Sequence, residues 1–153
     1  EKGIPVRFVR EEEQFHLTRE GDTVTVLPPM AEEGTANELG LTVLVSHKTL
    51  DVLITGDMEA EGERRLVETA DLPDVEVLVA GHHGSNTSNT RELLETVRPE
   101  LALISVGQNN KYGHPGWDAL ARLDEIGAKI YRTDLYGTIE VRMKQGDDYA
   151  AEK

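Results

Sequence analysis

Apolar and polar positions along this chain change their period about a third of the way in. Over residues 4–9 and 15–17 they alternate weakly, and Thr23-Val24-Thr25-Val26-Leu27 alternates cleanly until Pro28-Pro29 stops it. Alternation carried by β-branched residues marks a half-buried strand. Gly21-Asp22 lies between two such runs, so an antiparallel hairpin is expected there. Residues 30–37 are acidic, contain Gly34 and read as a connection. Leu41-Thr42-Val43-Leu44-Val45 reads as a buried strand, Ser46-His47-Lys48-Thr49 as a turn, and residues 50–55 as the returning strand.

From Glu59 the period lengthens to that of a helix. Leu66, Val67 and Ala70 form an apolar stripe, Glu61 and Arg65 are spaced for an ion pair, and Leu72-Pro73-Asp74 ends the pattern. Residues 75–79 form an apolar strand. Residues 90–97 are helical, with Asn89 as the expected N-cap, Glu92 three residues on, and Arg98-Pro99 as the stop. Residues 101–106 are strand. Pro115 suits the first turn of a helix whose apolar face is Ala119, Leu120, Leu123 and Ile126 and whose end is signalled by Gly127. Residues 128–132 and 137–143 complete the pattern as strands. The expected organisation is antiparallel β followed by β-α-β-α-β-α-β. This makes one α/β domain over residues 1–144, with 145–153 as a frayed tail. A chain of 153 residues can bury a real core.

Three of these strands end in residues that carry chemistry. The first runs into Gly56-Asp57, and the second into Ala80-Gly81-His82-His83-Gly84-Ser85-Asn86-Thr87-Ser88. The third runs into Gly107-Gln108-Asn109-Asn110-Lys111-Tyr112-Gly113-His114-Pro115. Ligands of open α/β sheets bind at the carboxyl ends of the strands. A lone histidine pair between glycines suits a polar turn as well as a site, but three strand ends of one design favour a site. Asp57, His82, His83 and His114 would then share one edge. A carboxylate and several imidazoles can hold two divalent metals that clamp an attacking hydroxide and a departing oxygen, and Asp57 suits the bridge. Ser85, Thr87, Ser88, Asn109, Asn110 and Lys111 could bind a phosphate or carboxylate. Asn37 begins a strand whose partner ends at Asp57. His16, in an exposed alternating strand, reads as structural, and His47 falls at the wrong end of its strand. Residues 57–62 with Glu68 nearly spell a calcium loop. Glutamates stand at its third and fifth positions, Arg64 at its eighth, and a strand precedes it.

The composition narrows the choice of metal. There is no cysteine, which excludes disulfides and thiolate ligands. Histidine and carboxylate sites suit zinc, manganese or iron. No apolar run is long enough to span a bilayer, and no basic-then-apolar leader opens the sequence. The net charge of −13 argues against broad phosphate-backbone binding and for affinity towards cations. The excess is partly local, in Glu11-Glu12-Glu13, Glu32-Glu33 and residues 59–63.

Taken in order, the stretches 53–59, 81–88, 104–115 and 131–139 resemble the metallo-β-lactamase-like domain at the C-terminus of the ComEC/Rec2 competence proteins. The resemblance runs from about Gly3 to about Val141 and implies an αββα sandwich. It implies Asp57 as the bridging metal ligand, His83 as a ligand of the second metal, His82 near the substrate phosphate, and His114 and Lys111 as further active-site groups. Ser85, Thr87, Ser88 and Asn110 are the matching substrate-binding candidates. The complete domain would take two divalent metals, zinc or manganese. The parent would be a channel for single-stranded DNA in the inner membrane. This domain would be soluble, lie on the outer face, and degrade the strand that does not enter. The family's HxHxDH motif has no counterpart among these residues. The chain is therefore expected to be the C-terminal part of such a domain, metal-poor and inactive alone, partnered by DNA and the channel domain, with an uncovered surface that invites homodimerisation. The alternatives are a non-catalytic docking or DNA-guiding module, and a metallo-hydrolase of another phosphoester or a lactone.

Overall fold

The computed structural model describes residues 3–17, 21–143 and 149–152. Four strands come first: β1 (Glu13–His16), β2 (Thr23–Leu27), β3 (Thr42–His47) and β4 (Leu50–Ile54). They pair antiparallel in sequence order. Helices and strands then alternate: α1 (Ala60–Thr69), β5 (Val77–Val79), α2 (Arg91–Val97), β6 (Leu101–Ile104), α3 (Trp117–Glu125) and β7 (Lys129–Arg132). The pairs β4–β5, β5–β6 and β6–β7 are parallel. The result is a seven-stranded sheet in the order β1-β2-β3-β4-β5-β6-β7. The change of period in the sequence is thus the change from antiparallel to parallel pairing.

Register decides which face is the core. Leu44, Leu53, Leu78, Ala102 and Ile130 lie opposite one another across five strands. This row packs against Leu66, Leu93, Leu94 and Leu123 of the helices. The crossovers all step the same way across the sheet, and α1, α2 and α3 stack side by side on one face. The other face carries the row Val26, Val43, Ile54, Val79, Leu103 and Tyr131, every one only partly buried.

Two expectations are corrected. Residues 4–9 enter no strand: Ile4, Val6 and Phe8 are 76%, 78% and 79% exposed. Alternation makes a strand only where a neighbour takes up its hydrogen bonds, and β1 pairs with β2 alone. The expected frayed tail contains a strand, β9 (Tyr149–Glu152), paired antiparallel with β8 (Glu140–Met143). The rest of the expected tail, 145–148 and Lys153, lies outside the described residues. The Tyr149 hydroxyl donates to Glu100 Oε2 at 2.7 Å, which brings the hairpin to the amino end of β6. A short helix, α4 (Thr133–Tyr136), follows β7. No helix of the described residues is long and apolar enough to cross a membrane.

The two faces differ in what they can lose. Leu78→Ala should cost about 2–5 kcal/mol, because Leu78 is fully buried between sheet and helices. Val43→Thr on the other face should cost under about 1 kcal/mol. Urea unfolding midpoints measure the contrast.

Candidate functional site

Loops after β4, β5 and β6 leave the carboxyl ends of neighbouring parallel strands, so the topology alone sets them side by side. The loop after β5 is a 3-10 turn, Gly81–Gly84, in which His82 and His83 both take left-handed backbone angles, φ +49° and +55°. A side chain in that region costs about 1–2 kcal/mol, and two in succession persist only where the surroundings hold them.

The surroundings are a buried polar frame. Asn89 brackets Gly81, accepting from its N–H at 2.9 Å and donating to its carbonyl at 3.0 Å. The His82 N–H donates to the Gly56 carbonyl at 2.9 Å. Glu63, with no exposed surface, accepts from the N–H groups of Asn89 and Thr90 at 2.6 and 2.7 Å. Burial raises the Glu63 carboxyl above the usual carboxylate range, while the two amide donors and the Arg122 charge pull it back. Arg122 donates to the carbonyls of Asn89, Ser88 and Asn86 at 2.7, 2.7 and 3.0 Å. Asn89 was the expected cap of α2. The Thr90 side chain caps it instead, accepting from the Leu93 N–H, and Asn89 is thereby free to shape the histidine turn.

A second set of bonds ties this loop to the one after β6. The Gly116 N–H donates to the Gly84 carbonyl at 2.8 Å. Asn86 Oδ1 accepts from the N–H groups of Asp118 and Ala119 at the start of α3. A Cβ on Gly116 would stand 2.0 Å from Asn86 Oδ1, and one on Gly84 would stand 2.8 Å from Pro115 Cβ. Both positions require glycine.

Within this frame His83 Nδ1 lies 2.7 Å from the Ser105 carbonyl oxygen. A carbonyl only accepts, so Nδ1 carries the proton and Nε2 keeps its lone pair in the neutral ring. That Nε2 faces Asp57 Oδ1 across 3.7 Å. His82 stands between the other imidazoles, its ring centroid 5.5 Å from His114 and 6.5 Å from His83. Its Nδ1 is buried without a hydrogen bond, 3.6 Å from Glu59 Oε1. Burial and the neighbouring His82 and His83 lower the His114 pKa against the opposing pull of Asp57.

The structure therefore brings Asp57, His82, His83 and His114 together. Among the described residues, no three His, Cys, Asp or Glu side chains converge as a metal-holding set. Lys111 is exposed beside this group, and Thr87 is exposed with its hydroxyl 3.0 Å from Ser85 Oγ. Ser88 and Asn110 do internal work. The Ser88 hydroxyl is buried and donates to the Met58 carbonyl at 2.7 Å. The Asn110 amide donates to the carbonyls of Gly107 and His114 and accepts from the N–H groups of Tyr112 and His114. Asn37 sits in the turn at 36–39, ahead of β3. Glu61 and Glu68, which the calcium-loop pattern would have used, are bound to Arg64.

Fold and site define an α/β protein with a histidine–carboxylate centre at the carboxyl ends of its parallel strands. Known proteins are similar to this chain in sequence. It is 30% identical to ComE operon protein 3 of Bacillus subtilis over 94% of its length. It is 41% identical to Competence protein ComA of Neisseria gonorrhoeae over 62%, and 36% identical to Recombination protein 2 of Haemophilus influenzae over 71%. The chain is a homologue of the ComEC/Rec2 competence proteins. It spans 18%, 14% and 14% of the length of these three relatives. No family model matches it.

Two outcomes follow from the frame. Glu63→Ala strips two buried N–H groups of their acceptor and should lower stability by about 2–4 kcal/mol, read from urea unfolding. His114 should titrate by NMR below the ordinary histidine value of about 6.5. Because folding favours its neutral form, its contribution to stability is present above that value and is lost as pH falls through the lower folded pKa.

Proposed function

We propose that this chain is part of a metal-dependent phosphodiesterase domain of a DNA-uptake protein, acting on the DNA strand that is not transported. The observation that carries the reading is the fixed tautomer of His83. An imidazole whose Nδ1–H is tied to a backbone carbonyl offers Nε2 as a ligand, and this is how metal-binding histidines are oriented. Asp57 and His83 fit a divalent cation as two donors of a larger set. The other ligands of a zinc or manganese pair would come from polypeptide beyond these residues. When bound, such metals supply a water acidified towards neutrality and a Lewis acid for the phosphoryl oxygen.

The chain's own groups then bind and orient the substrate. Lys111 and Thr87, both exposed, are the groups that would meet a phosphate. His82 stands between His83 and His114. His114, whose pKa is lowered by burial and two imidazole neighbours, can accept or return a proton there. Fold and names of the relatives support the same reading. The αββα sandwich would set a second sheet on the partly buried apolar face of the seven-stranded sheet. A competence role would place the domain on the outer face of the inner membrane, beside the channel domain of its parent chain.

The lack of a three-ligand cluster among the described residues favours a second reading, a module that docks on the channel or guides DNA without cutting it. Cleavage of single-stranded DNA by the full-length parent with added manganese separates the two. Asp57→Ala and His83→Ala should each cut activity about 10–100-fold and lower the metal content found by elemental analysis. Full activity in both variants would discard the hydrolase reading.

A further inference from the structure

Beside the histidines lies a cleft of about 400 Å³, lined by His83, Val106, Gly107, Asn110, Tyr112 and His114 among others. This is the size of a small-molecule pocket. Its outer wall is aromatic. Tyr112 is 72% exposed, and its ring stacks on that of His114 at a centroid distance of 6.0 Å and an interplanar angle of 16°. The four hydrogen bonds of the Asn110 amide hold the loop that presents this ring. The Lys111 ammonium stands 5.3 Å from the Tyr112 centroid. A large, exposed aromatic ring on a loop braced from within is a platform, covered in part by the flexible Lys111 side chain.

We infer that the outer face of Tyr112 is a stacking subsite for a nucleobase of an unpaired DNA strand, adjoining the scissile phosphate at the histidines. The inference rests on the phosphodiesterase reading and adds the form of the substrate. A base in the interior of a duplex cannot lie flat on Tyr112, because both of its faces are already stacked. A protein of net charge −13 gains little from the phosphate backbone at large, so stacking supplies what electrostatics does not. Lys111, next in the chain, can neutralise the phosphate of the stacked nucleotide. Two polar side chains that line the cleft are already engaged: the amide of Asn110 is bonded within its own loop, and Thr133 Oγ1 is bonded to the N–H and carbonyl of Val106. Stacking without a hydrogen-bond code is tolerant of sequence.

The test compares fluorescently labelled hexathymidylate with an abasic hexamer of equal charge, by anisotropy on the 153-residue chain. The chain should prefer hexathymidylate. Tyr112→Ala should weaken hexathymidylate binding about tenfold and leave the abasic strand unchanged, and Tyr112→Phe should retain the preference. Trp117→Ala removes another exposed aromatic, on the separate cavity formed with Leu120 and Ala121, and should change nothing. Equal binding of both strands, binding of neither, or a preference that survives Tyr112→Ala would overturn the subsite. Manganese-dependent cleavage of the two strands by the full-length parent judges the hydrolase reading separately: equal cleavage keeps it while the subsite falls.

Discussion

The buried carboxylate of Glu63 is the interaction on which the rest of the site depends. It accepts the N–H groups that open α2 and so fixes the end of the loop that carries both histidines. Without it, two amides would be stranded in the core and the frame that holds the left-handed angles of His82 and His83 would lose a principal support. Asn89 and Arg122 extend the same frame, one gripping Gly81 and the other gathering three carbonyls of the loop. The cost of burying this carboxyl is partly offset by two amide donors and a nearby guanidinium. The strain at the histidines and the polar frame beneath them are two sides of one arrangement: the frame supplies rigidity, and the strain sets where the imidazoles point.

That rigidity explains how so few groups can define a centre. His83 is oriented by a backbone carbonyl, His82 is held between two other rings, and the loop after β6 is locked to the histidine loop through Asn86 and two obligatory glycines. A helix start, α3, is capped by a residue from another loop, so displacement of either loop would disturb the other. The acidic surface is no contradiction of a nucleic-acid substrate under this account. On the proposed reading, recognition would be local, through one lysine, a hydroxyl pair and an aromatic ring, and would not call on a basic groove.

Much of the fold was legible in the sequence because period and pairing mode go together. The short alternating runs became antiparallel strands, and the continuous apolar runs between helical stripes became parallel ones. Asp57, His82, His83 and His114 could be placed together from topology, since each follows a strand of the parallel half. What could not be read is equally physical. Glu63 lies in a stretch of glutamates and arginines that reads as a solvated face, and only the tertiary fold turns that one inward. Ser88 and Asn110 are polar residues in site loops, yet their hydrogen bonds close on the backbone. Residues 4–9 alternate like a strand but find no ladder among the described residues. Asn89 followed the capping rule by sequence, and Thr90 one place later satisfied it in space.

The central claim is that His83 is fixed as an Nδ1–H imidazole with Nε2 turned to Asp57. Long-range proton–nitrogen NMR of the histidine side chains, recorded above pH 7 in the metal-free chain, reads this directly. A His83 ring in the Nδ1–H tautomer, shifting towards an equilibrium mixture in a variant that displaces the Ser105 carbonyl, is the expected result. A His83 ring found as the Nε2–H tautomer would contradict the account, because the nitrogen facing Asp57 would then carry a proton and offer no ligand.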